Sequence, residues 1–129
     1  MPAYDSIFFS PPAPLARVTL RDPESDGTVS GVPMLVDTGA DITLIPQASV
    51  RQLGVTIEPG GYELMGFDGS KSVAQAVRLN LELLGKTFKG KFLLVDQEWG
   101  LVGRDVLNHL SLLFDGPRST WGEQRSSGG

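Results

Sequence analysis

The sequence predicts a single all-β domain, and two observations carry that reading. The first is composition: of 129 residues, 16 are Gly and 9 are Pro, with 40% hydrophobic. That mixture favours a turn-rich, largely β protein over a helical bundle. The second is alternation. From Val73 to Leu83, Val77, Leu79, Leu81 and Leu83 alternate with Arg78, Asn80 and Glu82. From Thr87 to Val95, Phe88, Phe92 and Leu94 oppose Lys89 and Lys91. A period of two marks strands buried on one face, the usual pattern of antiparallel sheet. A chain of this length suits one domain and can bury a real core.

Charge and residue counts exclude several classes of function. Net charge is −4 and no run of Lys or Arg occurs, so no nucleic-acid surface is expected. Cysteine is absent, which removes disulfides, thiolate catalysis and Cys-based zinc sites. The single histidine, His109, makes a His-rich metal site a poor fit, and neither metal nor cofactor is expected. No segment approaches the ~20 apolar residues of a membrane span. The N-terminus has no basic n-region. No membrane association and a reducing, cytoplasmic setting are therefore the default expectation.

Residues 1–14 read as a Pro-rich leader, 15–124 as the folded domain and 125–129 as a Ser/Gly-rich disordered tail. Ser10 to Pro14 should be extended. Phe8 and Phe9, just before it, either dock on the domain or on a partner chain, or mark a self-cleavage site; docking is the favoured reading. Leu15–Arg21 and Thr28–Val36 read as strands joined by the polar turn Asp22 to Gly27. Ile42–Ile45 reads as a short buried strand. Pro46 opens a helix that stops at Gly54, and Val55–Ile57 is a strand fragment. Pro59-Gly60-Gly61 reads as a turn. Asp68-Gly69 is a strong hairpin-turn pair. Gly66 and Gly69 flank Phe67 there, so the tip fits a flap that closes over a ligand, against the plainer reading of a surface hairpin. Leu84-Gly85-Lys86 turns the two alternating strands, and Asp96 to Trp99 is a loop. Val106–Leu110 reads as a helix with His109 at its exposed end. Ser111–Phe114 and Arg118–Gln124 read as closing strands.

The chain is organised around Met34-Leu35-Val36-Asp37-Thr38-Gly39-Ala40-Asp41. An acid set between apolar runs is costly to ionise. It makes sense there if something shares its proton or bonds its oxygens. Gly39 lets the backbone approach the carboxyl, Thr38 offers a hydroxyl that donates and accepts, and Ala40 leaves room for a substrate backbone. This is the layout of a catalytic-carboxylate loop at the end of a buried strand, although the bare triplet also occurs in ordinary turns.

A second motif, Leu101-Val102-Gly103-Arg104-Asp105-Val106-Leu107, strengthens the signal. Gly103 allows a tight strand-to-helix turn, and Asp105 suits the helix N-cap or first turn. Arg104 stands alone in a segment that reads as buried. A buried guanidinium needs an acid partner, and Asp41 is the natural candidate; a surface Arg is the alternative.

These two motifs, with the glycine hairpin Met65 to Ser70 between them, resemble the retropepsin-like aspartic proteases, the single-domain retroviral enzymes and their cellular and bacterial relatives. The resemblance implies a closed antiparallel β-barrel with one short C-terminal helix, forming one half of a two-fold homodimer. It implies that Asp37, Thr38 and Gly39 are the catalytic set. Each chain then supplies one Asp37, and a water between the two carboxyls attacks the peptide bond. It also implies that Gly39 and the Asp41 backbone bind the extended substrate. The flap would lie near Gly66, Phe67, Asp68 and Gly69, with Ala40, Ile45, Met65, Phe67 and Val102 at the substrate. Arg104, paired with Asp41, and Asp105 would be structural supports. The flap tip, with Phe67 and Asp68, departs from the glycine-dominated tips of some retroviral members.

Two other readings stay open at this stage. One is a catalytically silent module of the same fold that serves for dimerisation or peptide binding. The other is an unrelated all-β binding domain carrying the triplet by chance, which would leave Arg104 exposed.

Overall fold

A computed structural model describes residues 1–65 and 69–124. Ten strands and two short helices build it in chain order: β1 (Tyr4–Asp5), β2 (Ala13–Arg21), β3 (Thr28–Val36), β4 (Leu44–Pro46), α1 (Gln47–Leu53), β5 (Ile57–Met65), β6 (Lys71–Leu83), β7 (Lys86–Val95), β8 (Gly100–Val102), α2 (Arg104–Leu107), β9 (Leu112–Asp115) and β10 (Thr120–Glu123). Eight strands form one sheet in the order β1-β2-β3-β8-β4-β7-β6-β5, and β2 also pairs with β6. β9 and β10 make a separate two-stranded ribbon.

The sheet is mixed, which corrects the antiparallel expectation. β3 runs parallel to β8, with Leu35 opposite Leu101, and β4 runs parallel to β7. Each parallel pair is separated by a long stretch of chain, as the crossover requires. The outer strands keep the antiparallel pattern: β6 and β7 pair from Ala76–Leu93 to Leu83–Lys86. Leu84 and Gly85 turn them with positive φ values of 52° and 76°, the backbone that matches strand twist in a two-residue hairpin.

The core follows the alternation. Val18, Leu20, Met34, Ile45, Val77, Leu79, Leu81 and Val102 are all essentially inaccessible. Burying a side chain of that size contributes about 1.5–3 kcal/mol, so these strands hold the domain together. α1 starts after Pro46 and ends at Gly54, whose φ of 83° supplies the left-handed stop. The residue pattern anticipates this helix. The single C-terminal helix implied by the resemblance does not include it.

Two further expectations are corrected. Pro59-Gly60-Gly61 is not a turn between elements; it sits inside β5, where the register against β6 shifts between Glu58 and Tyr62. An added Cβ at Gly61 would come within 2.3 Å of Val73, so the irregular stretch keeps a glycine to pass β6. The first residues are also part of the fold. β1 pairs with β2, the Tyr4 amide donates to the Ser119 carbonyl at 2.7 Å, and the Trp121 amide donates to the Pro2 carbonyl at 3.0 Å. Trp121 is buried with its ring stacked on Phe114.

Candidate active site

β3 and β8 lie side by side and in parallel, so their ends deliver two loops to one place. Val36 pairs with Val102, and the next amide, that of Asp37, donates to the Val102 carbonyl at 3.1 Å. The chain then turns on its own acid. The Gly39 amide donates to Asp37 Oδ1 at 2.9 Å, and the Ala40 amide donates to the Asp37 carbonyl at 3.2 Å. An Asp side chain bonding the amide two residues on is the usual Asx-turn geometry. It fixes the carboxyl and leaves its second oxygen clear of that bond.

The second loop clasps the first. The Arg104 amide donates to the Ala40 carbonyl at 2.9 Å. The Arg104 guanidinium donates through Nη1 to the Thr38 carbonyl at 2.8 Å. Arg104 and Asp41 are both exposed, and no ion pair joins them among the described residues. This corrects the expected buried pairing. An exposed guanidinium keeps its hydration, so it does not require an acid and instead braces the backbone of the acid's own loop.

The residue that locks the two loops together is Thr43, 1% exposed. Its hydroxyl donates to Asp105 Oδ1 at 2.6 Å and accepts from the Gly103 amide at 3.0 Å. The Thr43 amide donates to Asp105 Oδ2 at 3.1 Å, and the Val106 amide donates to Asp105 Oδ1 at 2.9 Å. Asp105 thus sits in the first turn of α2, as expected, and spends most of its bonding on Thr43. Gly103 is needed for the clasp, since a Cβ there would lie 2.4 Å from the Ile42 carbonyl oxygen. Sequence reading placed Thr43 in a buried strand without a role. A lone hydroxyl between Ile42 and Leu44 was the available signal.

The other expected site residues divide by strand face. Ile45 and Val102 are fully buried in the core, so they do not line a surface; alternation turns both inward. The residues on the opposite face are Leu35, Leu101 and Leu44, all half-buried. They stand in a row, Leu35 opposite Leu101 and Leu101 opposite Leu44. Asp37 and Ala40 are half-buried, and Thr38 and Gly39 are exposed. In a single chain the acid therefore lies at the surface rather than enclosed between apolar runs.

Gly66, Phe67 and Asp68 lie outside the described residues, as does the Met65 side chain. The base of their hairpin is described. Met65 pairs with Lys71, and Gly69 has φ of 82°. A surface network ties this base to β7. Lys91 Nζ donates to Tyr62 Oη at 2.8 Å and lies 3.0 Å from Glu58 Oε2; Arg78 Nε lies 3.3 Å from Glu58 Oε1. The Lys91 hydrogen bond, helped by Arg78, holds the Glu58 carboxyl below its ordinary range. The Tyr62 and Glu58 bonds raise Lys91 in turn.

Residues 25–109 match the family model described as gag-polyprotein putative aspartyl protease. No curated protein matches the chain. Among solved structures, EIAV protease complexed with the inhibitor HBY-793 superposes with a TM-score of 0.60 at 22% identity, over 75% of this chain and 86% of that one.

Proposed function

Because the chain belongs to the retroviral-type aspartic protease family, we propose that it is an aspartic endopeptidase whose active unit is a homodimer with one Asp37 from each copy. The carrying observation is the Asp37 loop itself. A carboxyl fixed by the Gly39 amide at the end of a core strand, and clasped by a second loop through Arg104 and Thr43, is a rigid acid with an open face. One such acid cannot both activate water and protonate a carbonyl in the same step. The described residues contain one Asp-Thr-Gly, and a two-fold axis at the exposed Thr38 and Gly39 would bring in the second.

Two carboxyls in contact cannot both ionise, so they share a proton and titrate as a pair. In the singly protonated dyad, the ionised Asp37 takes a proton from a water held between the two. The resulting hydroxide equivalent attacks the carbonyl carbon of the peptide bond. The protonated Asp37 delivers its proton to the carbonyl oxygen. Collapse of the tetrahedral intermediate breaks the C–N bond, with the proton taken from water passing to the leaving amine. No acyl-enzyme forms, so no nucleophilic Ser or Cys is needed. The hairpin at Met65 to Ser70 is the flap over the bound peptide in this reading.

The test is cleavage of a mixed peptide library between about pH 4 and 7 by wild type and Asp37→Asn. Cleavage by the wild type alone, with both proteins giving the same circular dichroism, supports the reading. Equal cleavage by both removes Asp37 from the chemistry and rejects the reading; no cleavage by either at any concentration rejects it in favour of a non-cleaving module.

A further inference from the structure

β7 is paired along one edge and only partly along the other. β6 covers it from Lys86 to Leu93, whereas β4 pairs only with Leu93, Leu94 and Val95. The edge of Lys86 to Phe92 that faces away from β6 has no strand beside it. Alternate amides and carbonyls of an antiparallel strand point to that side, and no turn or loop backbone among the described residues bonds to them. A groove of about 630 Å³ lies between this edge and α2, with Val106, Asp105 and His109 on the far wall. The Phe88 and His109 rings face each other across it, with centroids 6.2 Å apart.

Gly90 sits in the middle of the open edge, and the structural uses of a strand glycine do not account for it. Its register with Leu79 is continuous, so it marks no bulge. Its φ is not positive. A Cβ there would meet nothing within 4 Å, whereas at Gly61 or Gly103 it would collide. A strand glycine weakens its sheet, and its remaining use is to let a ligand or another backbone come close. Phe92 is buried in the core and alternation puts Gly90 and Phe88 on the same face. The open space therefore has backbone for its floor and a ring on either side. Lys89 stands on the opposite face with Lys91. Lys86 pairs with Glu123 and Lys91 with Glu58, but Lys89 is exposed and makes no ion pair among the described residues. The carboxyl of Asp105 is already turned to Thr43 and the Val106 amide.

We propose that the open edge of β7 docks an extended acidic segment of a partner protein, bound as an added strand with a carboxylate beside Lys89 and a bulky apolar side chain over Gly90. Main-chain bonds to the edge supply the affinity and alternate side chains the selectivity, as in other cases of strand addition. An opposite charge directly across from Lys89 is favourable, whereas a second copy of β7 would bring lysines to lysines. An aromatic ring laid over a strand glycine restores the packing that the missing side chain gives up. Docking here does not depend on the Asp37 chemistry.

The probe is fluorescein-Glu-Val-Glu-Phe-Glu-Val-Glu-amide, titrated by fluorescence anisotropy with the full chain carrying Asp37→Asn, so that cleavage does not consume it. Alternation sets its glutamates on the Lys89 side and its Phe on the Gly90 side. It should bind more tightly than a peptide of the same composition in scrambled order, and more tightly than the form with Ala in place of Phe. Lys89→Glu turns a favourable cross-strand charge pair into an unfavourable one and should weaken binding about two- to thirtyfold. Gly90→Val should keep or raise Tm, because a β-branched residue suits a strand and the space is open. The same variant should erase the preference for Phe over Ala. Amide exchange at alternate positions of Lys86 to Phe92 should slow when the probe is bound. No binding, or equal binding of the ordered and scrambled peptides, would overturn the docking edge. So would unchanged affinity in both variants. A Gly90→Val protein that melts well below the parent would assign the glycine to the fold and overturn it as well.

Discussion

Replacing Thr43 by Val keeps the shape of the side chain and removes one hydroxyl. That hydroxyl makes two bonds of different character. It accepts from the Gly103 amide, which is buried beneath the Ile42 carbonyl. Without it the amide has no room for water, and an unsatisfied buried donor costs about 1–3 kcal/mol. The hydroxyl also donates to Asp105 at 2.6 Å. Asp105 is exposed and keeps the Thr43 and Val106 amides. Water can therefore take over part of this bond, and its loss belongs near the low end, about 1 kcal/mol. The sum is about 2–4 kcal/mol. For a domain of this size that lowers Tm by roughly 6–16 °C. Thermal and urea unfolding at one fixed protein concentration measure it, because a dimer's stability depends on concentration. Thr43→Ser, which keeps both bonds, should lose only about 1 kcal/mol or less, the worth of a buried methyl. A Thr43→Val protein within about 0.5 kcal/mol of wild type, the ordinary spread of neutral substitutions, would refute the clasp.

Gly103→Ala should destabilise by about 1–3 kcal/mol or more, since its Cβ would press on backbone rather than on a movable side chain; an unchanged urea midpoint would contradict this. Arg104→Ala should cost only about 0.5–1.5 kcal/mol in melting experiments, because the residue is exposed and loses one bond to Thr38, while cleavage falls further as the acid's loop loosens. A loss of several kcal/mol would instead restore a buried Arg104–Asp41 pair. For Lys91→Met, the pH dependence has a defined sign. Glu58 is held below its ordinary value of 4.5 in the folded protein, so its contribution is present above that pH and is lost as pH falls through the lowered value. The Tm gap between wild type and Lys91→Met should be full at pH 7 and narrow well below pH 4.5; a gap independent of pH would count against the network.

What was legible in the sequence was whatever a local period encodes. The alternation of Val77 to Leu83 against Arg78 to Glu82 set both the strand and its buried face, and β6 is buried accordingly. The Pro46 and Gly54 signals bounded α1 because helix ends are chemically local. Asp37 and Gly39 were legible as a carboxylate turn for the same reason, since an Asx-turn is made by neighbours. Pairing across the sheet was not legible. Parallel β3 and β8 depend on distant chain, so the partner of Arg104 could not be read from its apolar surroundings, and an exposed Arg bonded to the Thr38 carbonyl resulted. Ile45 and Val102 were misplaced by a single step of alternation, which sends a side chain to the opposite face. Pro59 to Gly61 carries turn residues yet continues a strand, because a shifted register can absorb them. Thr43 shows the limit most clearly: its role exists only once Asp105 and Gly103, far along the chain, are brought beside it.

Two Asp37 carboxyls from two chains form the one proposed site, and mixing tests that most directly. Wild type and Asp37→Asn, combined in varied ratio at constant total protein and allowed to exchange, give only wild-type pairs as active species. Cleavage should then follow the square of the wild-type fraction, falling to about one quarter at an equal mixture, and specific activity of wild type alone should drop on dilution. Activity falling to one half at an equal mixture, with no dependence on dilution, would place the whole catalytic apparatus in a single chain and contradict the account.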